Sequence, residues 1–240
     1  MNDDLLFLNH SLKILQSSFL FRDIDHQILK SIIKDFKPVK WQKGESIQSN
    51  IGMKNLYIIL EGRLKITKID PKTGRSISLF ILHVGDIYDI FTLLDGKKHT
   101  AFPIAMDDIT AIKTPLHKAR EIIKEYPQFN KNFLPYLGKR LRELEDFSES
   151  LVFDNTVTRL SKLILKHVIP KKDKDDKHYP LELINDLSHE AISELIGSVR
   201  SVVSTQIKQL EKEGTIVTKR GYLAVKNLKE LMKKCDIFEE

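Results

Sequence analysis

The densest set of side chains able to do chemistry lies at residues 187–226, which read LSHEAISELIGSVRSVVSTQIKQLEKEGTIVTKRGYLAVK. Ala191, Ile192, Leu195 and Ile196 form the apolar face of a short helix that Ser188 is placed to cap. Gly197 then supplies a left-handed turn. Ser198 is placed to cap a second helix, whose buried face is Val199, Val202 or Val203, Ile207 and Leu210. The other side of that helix shows Arg200, Ser201, Ser204, Thr205 and Lys208. A guanidinium fork pairs bidentately with a guanine edge, hydroxyls reach bases or phosphates, and an ammonium neutralises backbone charge. Thr215–Thr218 and Gly221–Lys226 are expected to pair across Lys219-Arg220 as a basic wing. Residues 187–234 carry nine basic side chains against five acidic. A generic helical hairpin with a solvated basic face does not require helix, glycine turn, helix and basic wing in this order. Double-stranded DNA is the expected partner, met by Ser188, Ser198, Val199, Arg200, Ser201, Ser204, Thr205, Lys208, Lys219 and Arg220.

Other chemistry is poorly supplied. The single cysteine, Cys235, closes no intrachain disulfide and holds no iron–sulfur cluster. His83, His99 and His117 are too far apart in sequence for a cupin-type metal enzyme, the alternative that a β-roll raises. His189-Glu190 lacks the second histidine of a zinc protease motif, and no phosphate loop or nucleophile elbow occurs. The expectation is a protein that is not an enzyme and has no metal site.

These side chains have to be positioned by a chain of 240 residues, 41% hydrophobic and 30% charged, with a net charge of +6. That length fits one large or two small domains with a real core. Leu5, Leu8, Leu12 and Leu15 mark an amphipathic helix, and a second fits Ile24–Phe36 with Asp23 or Asp25 as its cap. From Lys37 the period changes to two. Val39, Trp41, Ile47, Leu56–Leu60, Leu64–Ile69 and Ser76–Leu82 read as strands, punctuated by Gly44, Gly52, Glu61-Gly62, Gly74, Gly85 and Asp95-Gly96. Such spacing predicts an all-β roll or barrel that closes near Thr114-Pro115. Leu116–Glu125 is a short helix, and Gln128 to about Phe153 a long one, with Pro135 as a kink or a start. Leu134, Leu137, Leu141, Leu144, Ser148 and Leu151 form an a/d seam along it, with Lys139, Arg140, Arg142, Glu143, Glu145 and Asp146 mostly off the seam. That predicts a homodimer through Leu134, Leu137, Leu141, Leu144 and Leu151. Asn155–Val168 is a further helix, followed by an exposed charged loop bounded by Pro170 and Pro180. The expected fold is α+β: an N-terminal double-stranded β-roll sensor domain over 1–126, a dimerisation helix over 127–153 and a winged helix-turn-helix over 154–240. No signal peptide or bilayer-length apolar run is read, so the expected location is cytoplasmic, away from membranes.

This order, and the segments Leu56-Tyr-Ile-Ile-Leu-Glu-Gly-Arg-Leu-Lys-Ile, Thr73-Gly-Arg with Gly85-Asp86, and Ile192-Ser-Glu-Leu-Ile-Gly-Ser-Val-Arg-Ser-Val-Val-Ser, resemble the CRP/FNR family of bacterial transcription regulators over nearly the full length. The resemblance implies a cyclic-nucleotide-binding-like jelly roll, a homodimer on a pseudo-palindromic operator, RNA polymerase as a further partner, and an effector held in the roll. The effector pocket it implies comprises Tyr88, Ile90, Phe91, His99, Thr100, Leu144 and Glu145. Here the sequence departs from the nucleotide-binding pattern. Ile90 stands where the family's ribose-binding Glu is expected and His99 where its phosphate-binding Arg is, and Ser76–Ala119 contains no Arg. A buried phosphodiester left without that fork is costly, so the departure argues against cAMP. Haem or another apolar ligand is the alternative, with His83, His99 and Tyr88 as candidate axial ligands and Ile90, Phe91, Leu93 and Leu144 as walls.

Overall fold

The computed structural model describes residues 2–46, 54–97, 100–170 and 177–235. The strand expected at Ile47, the turn at Gly52 and residues 171–176 of the charged loop lie outside them. Two compact units emerge, Met1–Ile69 with Leu79–Glu143, and Asp70–Ser78 with Leu144–Glu240. The division falls inside the long helix rather than at its end, and residues 70–78 belong to the second unit.

The first unit opens with α1 (Asn2–Ser17) and α2 (His26–Ile33). The second helix is shorter than its apolar spacing suggests, because the Asp25 carboxylate accepts from the Gln27 and Ile28 amides and sets its start. Seven strands follow among the described residues: β1 (Lys37–Trp41), β2 (Asn55–Glu61), β3 (Leu64–Ile69), β4 (Ser76–Leu82), β5 (Ile87–Tyr88), β6 (Phe102–Ala105) and β7 (Ile109–Pro115). They form one sheet in the order β1-β7-β2-β5 and another in the order β4-β3-β6. The uninterrupted apolar run of β2 has a simple cause. Successive side chains point to opposite faces, and both faces are covered. Leu56, Ile58 and Leu60 join Leu12, Leu15, Phe21 and Leu29 of the lead-in segment in one core, whereas Tyr57 and Ile59 join Trp41, Leu64, Ile66 and Tyr88 in the other.

The short α3 (Ile90–Asp95), then α4 (Leu116–Glu125) and α5 (Pro127–Phe153), are the further helices that start in this unit among the described residues. Pro127 begins α5, and Pro135 is accommodated inside it. Phe129, Phe133 and Tyr136 pack into the first core. One turn further on, Arg140 pairs with the buried Asp86 carboxylate and, at 2.8 Å, with Glu143. The Tyr136 hydroxyl donates to Asp86 at 3.1 Å, and the His83 amide donates to the same carboxylate at 2.9 Å. Burial alone would lower the affinity of Arg140 for its proton, but Asp86, Tyr136 and Glu143 outweigh it and hold the guanidinium charged. Gly85 fixes the turn that presents Asp86. It sits at φ +84°, and a Cβ there would meet the Cβ of Ser18 at 2.2 Å.

The second unit contains α6 (Thr156–Lys166), α7 (His189–Leu195), α8 (Arg200–Lys212), the hairpin β8 (Ile216–Lys219) and β9 (Tyr222–Val225), and α9 (Leu228–Lys233). The Asn155 side chain caps α6 by accepting from the Thr158 amide. Among the described residues, no helix is long and apolar enough to cross a membrane.

Breaking the Asp86–Arg140 pair leaves an uncompensated buried charge. Asp86→Ala is expected to destabilise the protein by about 3–5 kcal/mol in urea denaturation, and a paired Asp86→Leu, Arg140→Leu variant by less. A paired loss equal to the sum of the two single losses would show that the two charges are not coupled.

Candidate nucleic-acid interface and effector region

Ser188 caps α7 as its position suggests, its hydroxyl accepting from the Ala191 amide at 3.2 Å. Ile192 and Ile196 are buried from this helix. Gly197 turns the chain at φ +61°, and a Cβ there would lie 2.6 Å from Cδ2 of Leu151, so the leucine occupies the space that a side chain would need. Ser198 does not cap the second helix. Its amide donates to the Ser193 carbonyl at 2.9 Å as part of the turn, and the cap position falls on Val199, which makes no side-chain capping bond. Arg200 is therefore the first residue of α8.

The buried face of α8 is Val203, Ile207 and Leu210. Val199 and Val202, expected or allowed on that face, are instead 44% and 37% exposed. Val199 precedes the helix, and Val202 lies about 100° around the axis from Val203, past the edge of the buried stripe. Arg200, Ser201, Thr205, Lys208 and Lys212 are exposed along the outer side, and Lys219 and Arg220 at the wing. Lys219 closes the last pair of the hairpin opposite Tyr222, so the turn itself is Arg220-Gly221. The wing is tied to α8 by Glu211, whose carboxylate accepts from the Thr218 amide at 3.1 Å and its hydroxyl at 2.7 Å. None of Arg200, Lys208, Lys219 and Arg220 forms an ion pair among the described residues, so their charge is available to a polyanion. The hydroxyls are placed differently. Ser204 shares a 2.8 Å hydrogen bond with Nδ1 of His189, and Thr205 donates to the Ser201 carbonyl at 3.1 Å.

The hairpin tip 70–78 meets the same unit through α7. Glu194 accepts from Ser76 Oγ at 2.7 Å and Ser78 Oγ at 3.2 Å. Nothing in the sequence joins residues this distant. Two serines in a strand and one glutamate in a helix carry no spacing signal.

The residues expected in the effector pocket have different surroundings. Tyr88 is buried beside Tyr57, ring centroids 5.8 Å apart, and Trp41 packs against Tyr57 in a tilted arrangement at 5.2 Å. Ile90 packs on the opposite core. Phe91 is half exposed, because Asp89 adopts φ +75° and starts α3 with Thr92 and Leu93 facing inward. Thr100 is exposed, and His99 lies outside the described residues. Leu144 and Glu145 fall in the second unit, half-buried and exposed. Burial, reinforced by the neighbouring Asp89 carboxylate, holds the Tyr88 phenol well above its ordinary range, which opposes its use as an anionic axial ligand. Nε2 of His83 lies 3.6 Å from Asp86. Among the described residues, no group of three or more His, Cys, Asp and Glu is placed to hold a metal ion.

Of the expected dimer residues, Leu134 and Leu141 are 65% and 64% exposed. Leu137 packs on the core of its own unit, Leu144 is half-buried, and Leu151 lies over Gly197.

Residues 158–234 match the family model of the Crp-like helix-turn-helix domain. The chain is 23% identical over 206 residues to the CRP-like cAMP-activated global transcriptional regulator of Mycobacterium tuberculosis, with 85% of this chain and 90% of that protein covered. A CooA mutant from Carboxydothermus hydrogenoformans is similar with a TM-score of 0.71 at 24% identity, over 85% of this chain and 89% of that one. The c-di-GMP responsive global regulator CLP of Xanthomonas campestris is similar with a TM-score of 0.70 at 11% identity, over 84% and 99%. At these identities the structural likeness is one of fold.

Gly197→Ala forces a left-handed alanine against Leu151. The expected cost is about 1–3 kcal/mol, read as a lower melting temperature, with part of it recovered when Leu151→Ala is added. An unchanged melting temperature would mean that the turn tolerates a side chain.

Proposed function

We propose that the chain is a DNA-binding transcription regulator of the CRP/FNR family that acts as a homodimer on a pseudo-palindromic operator under the control of an effector other than cAMP. The observation that carries the DNA reading is the first turn of α8. It presents Arg200 free of any ion pair, directly after the glycine turn and next to a wing whose Lys219 and Arg220 are equally uncommitted among the described residues. The N-terminal end of such a helix meets base edges in the major groove. Arg200 reads a guanine in each half-site, Lys208 and Lys219 contact phosphates, and the half-sites lie about one helical turn, roughly 10–10.5 base pairs, apart. The protein then works where the DNA is, in the cytoplasm, and acts on transcription by meeting RNA polymerase there.

Leu134 and Leu141 support the dimer. Two large apolar side chains almost two-thirds exposed, seven residues apart on a 27-residue helix, are what a parallel helix pair buries. Gly138, between them on the same side, lets the backbones approach. Leu137 and Leu151 have partners within their own protomer and are left out of this seam.

The effector reading rests on the roll. A cyclic phosphate needs an arginine fork, yet Ile90 packs into a core, and the space between the sheets is filled by Trp41, Tyr57 and Tyr88. The Mycobacterium tuberculosis relative is named as cAMP-activated and the Xanthomonas campestris one as c-di-GMP responsive, so relatives of this fold differ in what they sense.

Three outcomes follow. Arg200→Ala is expected to cost ~1–3 kcal/mol per half-site and to relax preference at one base pair in a binding-site selection, whereas Lys208→Ala weakens all sequences alike and flattens the salt dependence. Retention of every base preference by Arg200→Ala would refute its reading role. Leu141→Asp places a charge opposite its own copy and should sediment as a monomer without operator binding. A dimer at micromolar concentration would move the seam elsewhere. Finally, sub-millimolar cAMP should leave the melting temperature unchanged, although a ligand at 100 times its Kd adds about 2.7 kcal/mol. A saturable rise would overturn the reading of the roll.

A further inference from the structure

We propose that the recognition helix reads thymine through an apolar row formed by Val199, Val202 and the γ-methyl of Thr205, beside the guanine read by Arg200. The inference rests on the reading that α8 enters the major groove and specifies what the helix finds there.

Val202 and Thr205 are i, i+3 neighbours on one flank of α8, and Val199 precedes them at the cap position of the same helix. Val199 and Val202 are exposed while Val203, between that flank and the core, is fully buried. Packing within the protein therefore explains Val203 and leaves the other two without a role. Val199 is also a poor residue for its place. The cap position favours Ser, Thr, Asp or Asn, and a valine there satisfies no helix amide. Local rules broken in this way mark sites where function overrides stability. Thr205 completes the row because its hydroxyl is turned back onto the Ser201 carbonyl at 3.1 Å, leaving the methyl as the group it offers a partner.

The occupant is set by what lies around the row. Arg200, Lys208 and Lys212 on the same helix, with Lys219 and Arg220 at the wing, direct this face to a polyanion rather than to another apolar surface. Within the major groove of a duplex, the one apolar group presented by the bases is the 5-methyl of thymine. Each half-site is thus expected to carry thymine adjacent to the guanine of Arg200. Thr205 contributes shape to this contact and not a hydrogen bond.

The test uses the full-length protein and deletes the methyl from either side. After binding-site selection, each thymine of the selected operator is replaced in turn by deoxyuridine, and affinity is measured at fixed salt. Wild-type protein should lose about fourfold per half-site at one or two thymines, the value of one buried methyl group. Val202→Ala and Thr205→Ser should bind the thymine and deoxyuridine operators equally at those positions, whereas Thr205→Val should keep the full difference. The proposal is overturned if no deoxyuridine replacement changes wild-type affinity, or if Thr205→Val loses the discrimination that Thr205→Ser retains. A protein that selects no sequence at all overturns both this proposal and the DNA reading beneath it. Because the deoxyuridine scan is made on the unaltered protein, a variant that folds poorly does not decide the outcome.

Discussion

The buried ion pair between Asp86 and Arg140 is the constraint from which the rest of the N-terminal unit takes its orientation. Hydrophobic packing alone places α5 on the core but leaves its rotation about its own axis loosely determined, since apolar contacts are not directional. A guanidinium that must meet one carboxylate and one phenol, with Glu143 on its other side, removes that freedom. With Phe129, Phe133, Tyr136 and Arg140 facing inward, the side that carries Leu134 and Leu141 has to face out. A pair of this kind adds little net stability over an apolar replacement, but it specifies geometry. What it specifies here is which stripe of the helix faces outward.

The same reasoning bears on the roll. β2 is buried on both faces, so its five central residues are divided between two cores, and Tyr57 and Ile59 are committed to the inter-sheet side together with Trp41 and Tyr88. Aromatic rings at centroid separations of 5.2 and 5.8 Å are in ordinary contact. A ligand between these sheets has to displace rings that are already well packed, which sets a different requirement from the filling of an open polar pocket. Apolar and aromatic chemistry suits that exchange, and an unescorted phosphate does not.

Much of this architecture is legible in the sequence, for identifiable reasons. An unbroken apolar run marks β2, alternation marks β3 and the start of β4, proline and glycine mark their ends, and the helix-turn-helix is spelled out by Ser188, Gly197 and the apolar residues around them. The shorter strands β5 and β6 are too brief to carry a period, and the three residues of Gly85, Asp86 and Asp89 do their work through backbone conformation and burial, not through pattern. Arg140 reads as a surface charge on a helix because its partner, Asp86, is 54 positions away. The seam poses a related difficulty. Leucines at 137, 144 and 151 share heptad spacing, but spacing does not reveal that Leu137 packs on the core of its own unit or that Leu151 lies over Gly197. Val202 and Val203 differ by one position and are chemically identical, so only the rotation of α8, set by Ile207 and Leu210, decides which is buried.

The hydroxyl groups of the DNA-binding unit show how few of its polar atoms are left for a partner. Ser188 caps α7, Ser193 donates to the Glu190 carbonyl at 2.7 Å, Ser204 meets His189 and Thr205 meets its own helix backbone. Each of these bonds lies within or between the two helices of the motif and holds them in register. The cations follow the opposite rule, with Arg200, Lys208, Lys219 and Arg220 free of ion pairs among the described residues. Short polar side chains are thus used for internal geometry, where they reach neighbouring backbone or the facing helix, and long charged ones face the outside. What a recognition helix built in this way adds to charge has to come from its remaining exposed groups, Ser201 and the methyl-bearing residues of its first two turns.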